Sequence, residues 1–125
     1  MLVVDFDGQH QVVDEDALDK QLSRRSSAGV NHFWLYFDEE EYPWLAIAVK
    51  QDIACVHFFP KEGHPGFQSV GSTSANETIT FYMTADDTIE VPQTAVVPIN
   101  LAMIAAHEFM HGHGERPSAV KWLEL

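Results

Sequence analysis

WLAIAVKQDIACVHFFPKEGHPGF, residues Trp44–Phe67, is the stretch from which the fold can be read. Two apolar runs, Trp44–Val49 and Ile53–Phe59, flank a short polar turn, Lys50-Gln51-Asp52. Each run is too short for an independent helix and rich in Ile, Val, Phe and Trp, which predicts two strands of a hairpin. Leu45, Ile47 and Val49 share one face of the first strand, with Trp44, Ala46 and Ala48 on the other. In the second strand Ile53, Cys55, His57 and Phe59 alternate with Ala54, Val56 and Phe58. Both faces are mostly apolar, as expected of a sheet covered on both sides. The loop Glu62-Gly63-His64-Pro65-Gly66-Phe67 follows, whose Gly and Pro residues predict a tight, non-repetitive turn.

Strand signals extend outward from this hairpin. Leu2–Phe6 is a short strand, Asp7-Gly8 a turn, and Gln11–Val13 its returning partner. Val30–Phe37 alternates Phe33, Leu35 and Phe37 against His32, Trp34 and Tyr36. His32 has no partner at ligand spacing and reads as a packed or edge histidine. Glu77–Thr84 alternates with Ile79, Phe81 and Met83 inward, which predicts a half-buried strand. Ile89–Val91 is a further short strand, Gln93–Val97 is ambiguous, and Val120–Leu125 can close the sheet.

Two segments have helical signals. Asp14 is placed as an N-cap, with Glu15 and Asp16 in the first turn and Ala17, Leu18 and Leu22 as the apolar stripe. Arg24 and Arg25 are expected in the last turn of this helix, before Ser26-Ser27-Ala28-Gly29. From Pro98 the period becomes helical again, through Ile99, Ala102, Met103, Ala106 and Phe109 or Met110, ending by Gly112-His113-Gly114. The expected architecture is α+β: a mainly antiparallel sheet of about five to seven strands packed with two helices, in a single domain spanning residues 1–125.

Composition narrows the function. The 125 residues carry a formal net charge of −12, with only seven Lys and Arg. Counterion-release binding to nucleic acid needs clustered cations, so no direct nucleic-acid partner is expected. A strongly acidic surface suits a basic protein partner met by electrostatic steering, or simple solubility. Asp38-Glu39-Glu40-Glu41, between two apolar strands, reads as a solvated loop and as a candidate acidic finger. The lone cysteine, Cys55, is predicted to be a buried, inert thiol. The opening residues show neither a basic segment nor a long apolar run, so no signal peptide or membrane span is expected and a cytoplasmic protein is.

One motif points to different chemistry. His107-Glu108-Phe109-Met110-His111 is an H-E-x-x-H pattern on a helix. Imidazoles at i and i+4 share a face and can converge on zinc, with the glutamate as general base to a bound water. A third ligand is missing downstream: the extended motif's position is Pro117, and only Glu115 and Glu124 remain as carboxylates. The apolar stripe places both histidines on the flank facing water, where helix-dipole and capping roles also explain them. Metal binding by His107, His111 and His113 without catalysis is the milder form of this reading. The expectation is accordingly no catalytic residues, no cofactor and no functional metal; the alternative is a small zinc hydrolase using His107, His111 and Glu108.

Ordered short motifs cover nearly the whole chain. They are Asp5-Phe6-Asp7-Gly8, Ser23-Arg24-Arg25, Asn31-His32-Phe33, Tyr42-Pro43 leading to Leu45, and Asp52-Ile53-Ala54. Gly63-His64-Pro65-Gly66-Phe67 follows with Ser69 and Gly71, then Ala105 and Phe109, Arg116-Pro117, and Trp122-Leu123-Glu124-Leu125. In this order they resemble the first numbered family of immunity proteins from bacterial polymorphic toxin systems, which act in competition between bacteria. The resemblance is greatest to members whose toxin is a cytosine deaminase acting on double-stranded DNA. It implies an α+β fold, no enzymatic activity, and tight binding to a cognate toxin in the producing cell's cytoplasm. The expected mode of action is a monomer that forms a one-to-one complex and blocks the toxin's active site. Asp38, Glu39, Glu40 and Glu41 are the expected steering charges, and Trp44, His64 and Phe67 the candidate anchors. The His64–Phe67 loop also has a purely structural explanation in its Gly and Pro content.

Overall fold

A computed structural model describes residues 1–38, 40–74 and 76–125. Among them the strands are β1 (Leu2–Asp5), β2 (Gly8–Gln11), β3 (Val30–Tyr36), β4 (Trp44–Lys50), β5 (Ile53–Phe59), β6 (Phe67–Val70), β7 (Thr78–Tyr82), β8 (Thr88–Pro92), β9 (Val97–Pro98) and β10 (Lys121–Glu124). The helices are α1 (Glu15–Leu22) and α2 (Ile99–His111), with a 3-10 turn at Gln93–Ala95. The main sheet runs β10-β6-β5-β4-β3-β1-β2, all antiparallel, with β9 also paired to β5. A separate hairpin, β7–β8, lies on one face. The α+β class stands, and the sheet is larger than the five to seven strands expected.

β4 and β5 form the centre, paired from Trp44↔Phe59 to Lys50↔Ile53. The alternation read from the sequence sorts their side chains onto two cores. Phe33, Leu35, Leu45, Ile47, Val49, Ala54, Val56 and Phe58 face the helices and pack with Leu18, Leu22 and Phe109. Ala48 and Cys55 face the other way, against Phe81, Val91 and Ala95 under the β7–β8 hairpin. On α2 the buried residues are Ala102, Ala105, Ala106 and Phe109. Three alanines let its axis lie close to the sheet, and Phe109 fills the remaining depth.

Three boundaries differ from the sequence reading. β2 starts at Gly8 rather than Gln11, because Asp5 and Gly8 close a tight turn: the Asp7 amide donates to Asp5 Oδ1 at 2.9 Å, and Gly8 has φ of 121°. α1 begins as expected, with the Ala17 amide donating to Asp14 Oδ1 at 2.8 Å, but stops at Leu22. Arg25 instead reaches back to donate to the Leu22 carbonyl at 2.7 Å, and Arg24 pairs with Asp7 at 3.2 Å. Pro98 keeps an extended backbone and precedes α2 rather than opening it.

The ambiguous segment resolves as the 3-10 turn followed by β9, and β6 is a strand not expected from the sequence. β5 is shared along its length: His57 and Phe58 pair with β6, and Ile53 and Ala54 pair with β9. Ser69 bridges the junction, accepting from the Val56 amide at 3.0 Å and donating to the Ala95 carbonyl at 2.7 Å. No described helix is long and apolar enough to cross a membrane.

Candidate functional site

The β7–β8 hairpin is shorter than the sheet it covers. It shelters Ala48 and Cys55 at one end of β4 and β5 and leaves the Trp44–Phe59 end open. There the outward side chains of β3, β4 and β5 form a continuous aromatic surface. Trp34 meets Trp44 edge-on at 5.7 Å between ring centroids and stacks near Phe59 at 6.3 Å. Tyr42 stacks on Trp44 at 5.2 Å, and Tyr36 lies 6.3 Å from it. Val4, Trp34, Tyr36 and Trp44 line a shallow depression of about 310 Å³. These aromatic residues are half-buried, so each presents ring area to solvent. The Trp44 indole N–H has no acceptor among the described residues.

The acidic loop borders this surface, since it joins β3 to β4 at the open end. Asp38, Glu40 and Glu41 are exposed. Glu39 lies outside the described residues. Exposed carboxylates thus border one side of an apolar, aromatic centre.

His64 and Phe67 are elsewhere. Phe67 packs toward the helices, 6.2 Å from Phe58, whereas Trp44 lies on the opposite face beside Trp34. Their polar and ring contacts are made within the chain. The His64 ring stacks on Phe67 at 5.1 Å, accepts from the Gly66 amide at 2.8 Å through Nδ1, and faces Glu124 at 2.9 Å through Nε2. The Arg116 guanidinium lies over the Phe67 ring, 4.4 Å from its centroid. The loop thereby fastens β6 to the C-terminal strand, which favours its structural explanation.

The H-E-x-x-H helix is arranged differently from the hydrolase expectation. His107 and His111 do not simply face water; they face α1. His111 Nε2 lies 2.6 Å from Glu15 Oε1, and His107 Nε2 lies 2.6 Å from Asp19 Oδ1. His107 Nδ1 is 3.6 Å from Glu15 Oε1. Hydrogen bonds from His111 and then His107 lower the Glu15 pKa. Partial burial opposes charge on His107, but hydrogen bonds and charge from Asp19 and Glu15 outweigh it and raise its pKa. Glu108 turns away from the pair and accepts from Ser118 Oγ at 2.7 Å and from the Ala119 amide at 2.8 Å. His113 packs at a tilt against Phe37, 4.2 Å between ring centroids, and is not one of the residues that converge with the pair. The general base and third histidine that the zinc readings needed are thus committed to other contacts.

Several of the motif residues brace the fold. Asp5 is buried and accepts from Gln21 Nε2 at 2.6 Å, with His10 Nε2 3.3 Å away. Asn31 donates to the Arg24 carbonyl at 3.0 Å and accepts from the amides of Phe6 and His32. Together they lock the first hairpin, the end of α1 and the start of β3.

The family model described as immunity protein Imm1 matches residues 3–124. This chain belongs to the Imm1 family. It is also 32% identical, over 126 residues spanning the whole of both chains, to the double-stranded DNA deaminase immunity protein of Burkholderia cenocepacia strain H111. Imm1 membership accounts for the ordered motifs along the chain. The sequence reading picked out Trp44 and the acidic loop but not Trp34, Tyr36, Tyr42 or Phe59 as one surface. The alternation of β3 already put Trp34 and Tyr36 on the face opposite Phe33 and Leu35; what stayed hidden was that the covering hairpin, whose Met83, Ile89 and Val91 line one depression with Trp34 and Phe59, leaves these rings half-buried.

Proposed function

We propose that this chain binds and neutralises a cognate toxin of the DNA-deaminase type, using the aromatic face of β3, β4 and β5 as its centre and the acidic loop as its rim. Membership of the Imm1 family and likeness to a deaminase immunity protein support the partner class. The single observation that carries the surface is the half-buried Trp34–Trp44–Tyr42 cluster beside the exposed Asp38, Glu40 and Glu41. Large aromatic anchors dominate binding energy at protein interfaces, and rim charges set the encounter rate. A toxin that acts on DNA needs cationic groups for phosphates, and an acidic protein with a net charge of −12 is suited to cover them. The chain then acts without catalysis or cofactor, as one domain and one copy per toxin in the cytoplasm, and occludes the toxin's substrate cleft.

Calorimetry with a catalytically inactive toxin domain encoded beside the gene tests this. A one-to-one complex of nanomolar affinity is expected. Trp34→Ala and Trp44→Ala should each weaken it by about 2 kcal/mol, roughly thirtyfold. Glu40→Lys with Glu41→Lys should slow association about tenfold at low salt and flatten its salt dependence. Nanomolar binding untouched by both tryptophan variants would move the interface to another face.

A further inference from the structure

We propose that Glu15, His107 and His111 form a binding site for a divalent transition metal, zinc being the best fit, that clamps α1 to α2. The ligand missing downstream of the H-E-x-x-H helix is supplied from upstream, by the first turn of α1. One ligand atom from each of the three residues lies within 4.8 Å of the others, although Glu15 and His111 are 96 positions apart in the sequence. Two imidazoles and one carboxylate are the donor set that suits zinc, which takes such ligands at about 2.0–2.2 Å.

A second observation favours a ligand over a mere ion pair. His107 turns Nδ1 toward Glu15 and His111, and its Nε2–H donates to Asp19 Oδ1 at 2.6 Å. A carboxylate holding the far nitrogen of a ligating histidine fixes its tautomer and orientation, an arrangement that metal sites use repeatedly. The site is reachable, because an open groove lined by Val13, Asp14, Asp16 and Met110 leads to Glu15 and His111, leaving room for water as a fourth ligand. Glu108 is hydrogen-bonded to Ser118 and Ala119 instead, so the metal's role is structural. It replaces the two Glu15 contacts to His107 and His111 with a coordination centre, keeps the His107–Asp19 bond, and is independent of the proposed toxin-binding surface on the opposite face of the sheet.

The test uses the full chain without an affinity tag, stripped with a chelator and titrated with zinc chloride at neutral pH by calorimetry. One zinc per chain at micromolar affinity or tighter is expected, with a higher melting temperature when zinc is added. His111→Ala and Glu15→Gln, both at exposed positions that leave the fold intact, should abolish the stabilisation and weaken binding at least tenfold; Asp19→Asn should weaken it about tenfold. His113→Ala and Glu108→Gln should bind zinc as the parent does. Absence of binding up to high micromolar zinc overturns the proposal and leaves a histidine–carboxylate ion-pair cluster. Binding that survives Glu15→Gln undiminished also overturns it, since two imidazoles on one helix would then suffice.

Discussion

Glu108 Oε2 accepts a 2.7 Å hydrogen bond from the Ser118 hydroxyl, and through that bond α2 holds the segment that leads into β10. The carboxylate also takes the Ala119 amide at 2.8 Å. Glu108→Ala leaves that amide without its acceptor and should cost about 1–3 kcal/mol. Urea unfolding should show a lower midpoint at unchanged slope, with toxin affinity preserved. Unaltered stability would mean the segment is held by the Trp122–Pro117 hydrogen bond and the β10–β6 pairing alone.

His32 sets an acid limit on stability. Its ring is buried beside His57, and burial first, with His57 charge second, pushes its pKa from 6.5 down to about 4. Its Nδ1 has no hydrogen-bond partner among the described residues. Between pH 6.5 and about 4 the unfolded chain therefore binds the proton that the folded chain refuses. Stability should be complete above 6.5 and fall as pH drops toward 4, by about 3 kcal/mol in all. His107 acts in the opposite sense: its raised pKa gives stability below 6.5 that is lost as pH rises through the folded value. His32→Phe should flatten the slope on the acid side; an identical slope in parent and variant would assign the loss to carboxylates.

Gly71 is fixed by space, not by a turn. A Cβ there would meet the Val96 carbonyl oxygen at 1.9 Å, while the Gly71 amide donates to the Thr94 carbonyl at 2.7 Å. Gly71→Ala must push β6 away from the 3-10 turn or break that bond. A loss of about 3 kcal/mol is expected by denaturant titration; a loss under about 0.5 kcal/mol would show that the two backbones separate easily.

Cys55 should be silent in the folded protein. It is fully buried between the sheet and β7–β8, and burial pushes its thiol pKa up to about 12. Reaction with a thiol reagent should follow unfolding, and its rate should track denaturant concentration. Rapid labelling of the native chain would indicate that the hairpin opens.

How much of this was legible in the sequence depended on the range of the interactions. The β4–β5 hairpin, the Asp14 cap and the inward Phe81 were readable because they rest on local alternation or on a side chain bonding three residues away. β6 was not, since Phe67-Gln68-Ser69-Val70 has two polar residues, both buried, and owes its state to pairing with β5 and β10. β9 likewise exists because β6 leaves half of β5 free. The partners of the histidine pair were missed for the same reason: Glu15 and Asp19 meet His111 and His107 only through the packing of α1 against α2. At the aromatic face the alternation gave the direction of Trp34 and Tyr36, but their exposure follows from the length of a hairpin packed on the sheet.

Inhibition of the cognate deaminase domain measures the proposed neutralisation most directly. The toxin's deamination of double-stranded DNA is followed while this chain is added in substoichiometric to excess amounts. Activity should fall linearly to zero at one equivalent, and the Trp34→Ala, Trp44→Ala double variant should need a large excess to reach the same end point. Full deamination in the presence of excess parent chain would contradict the account.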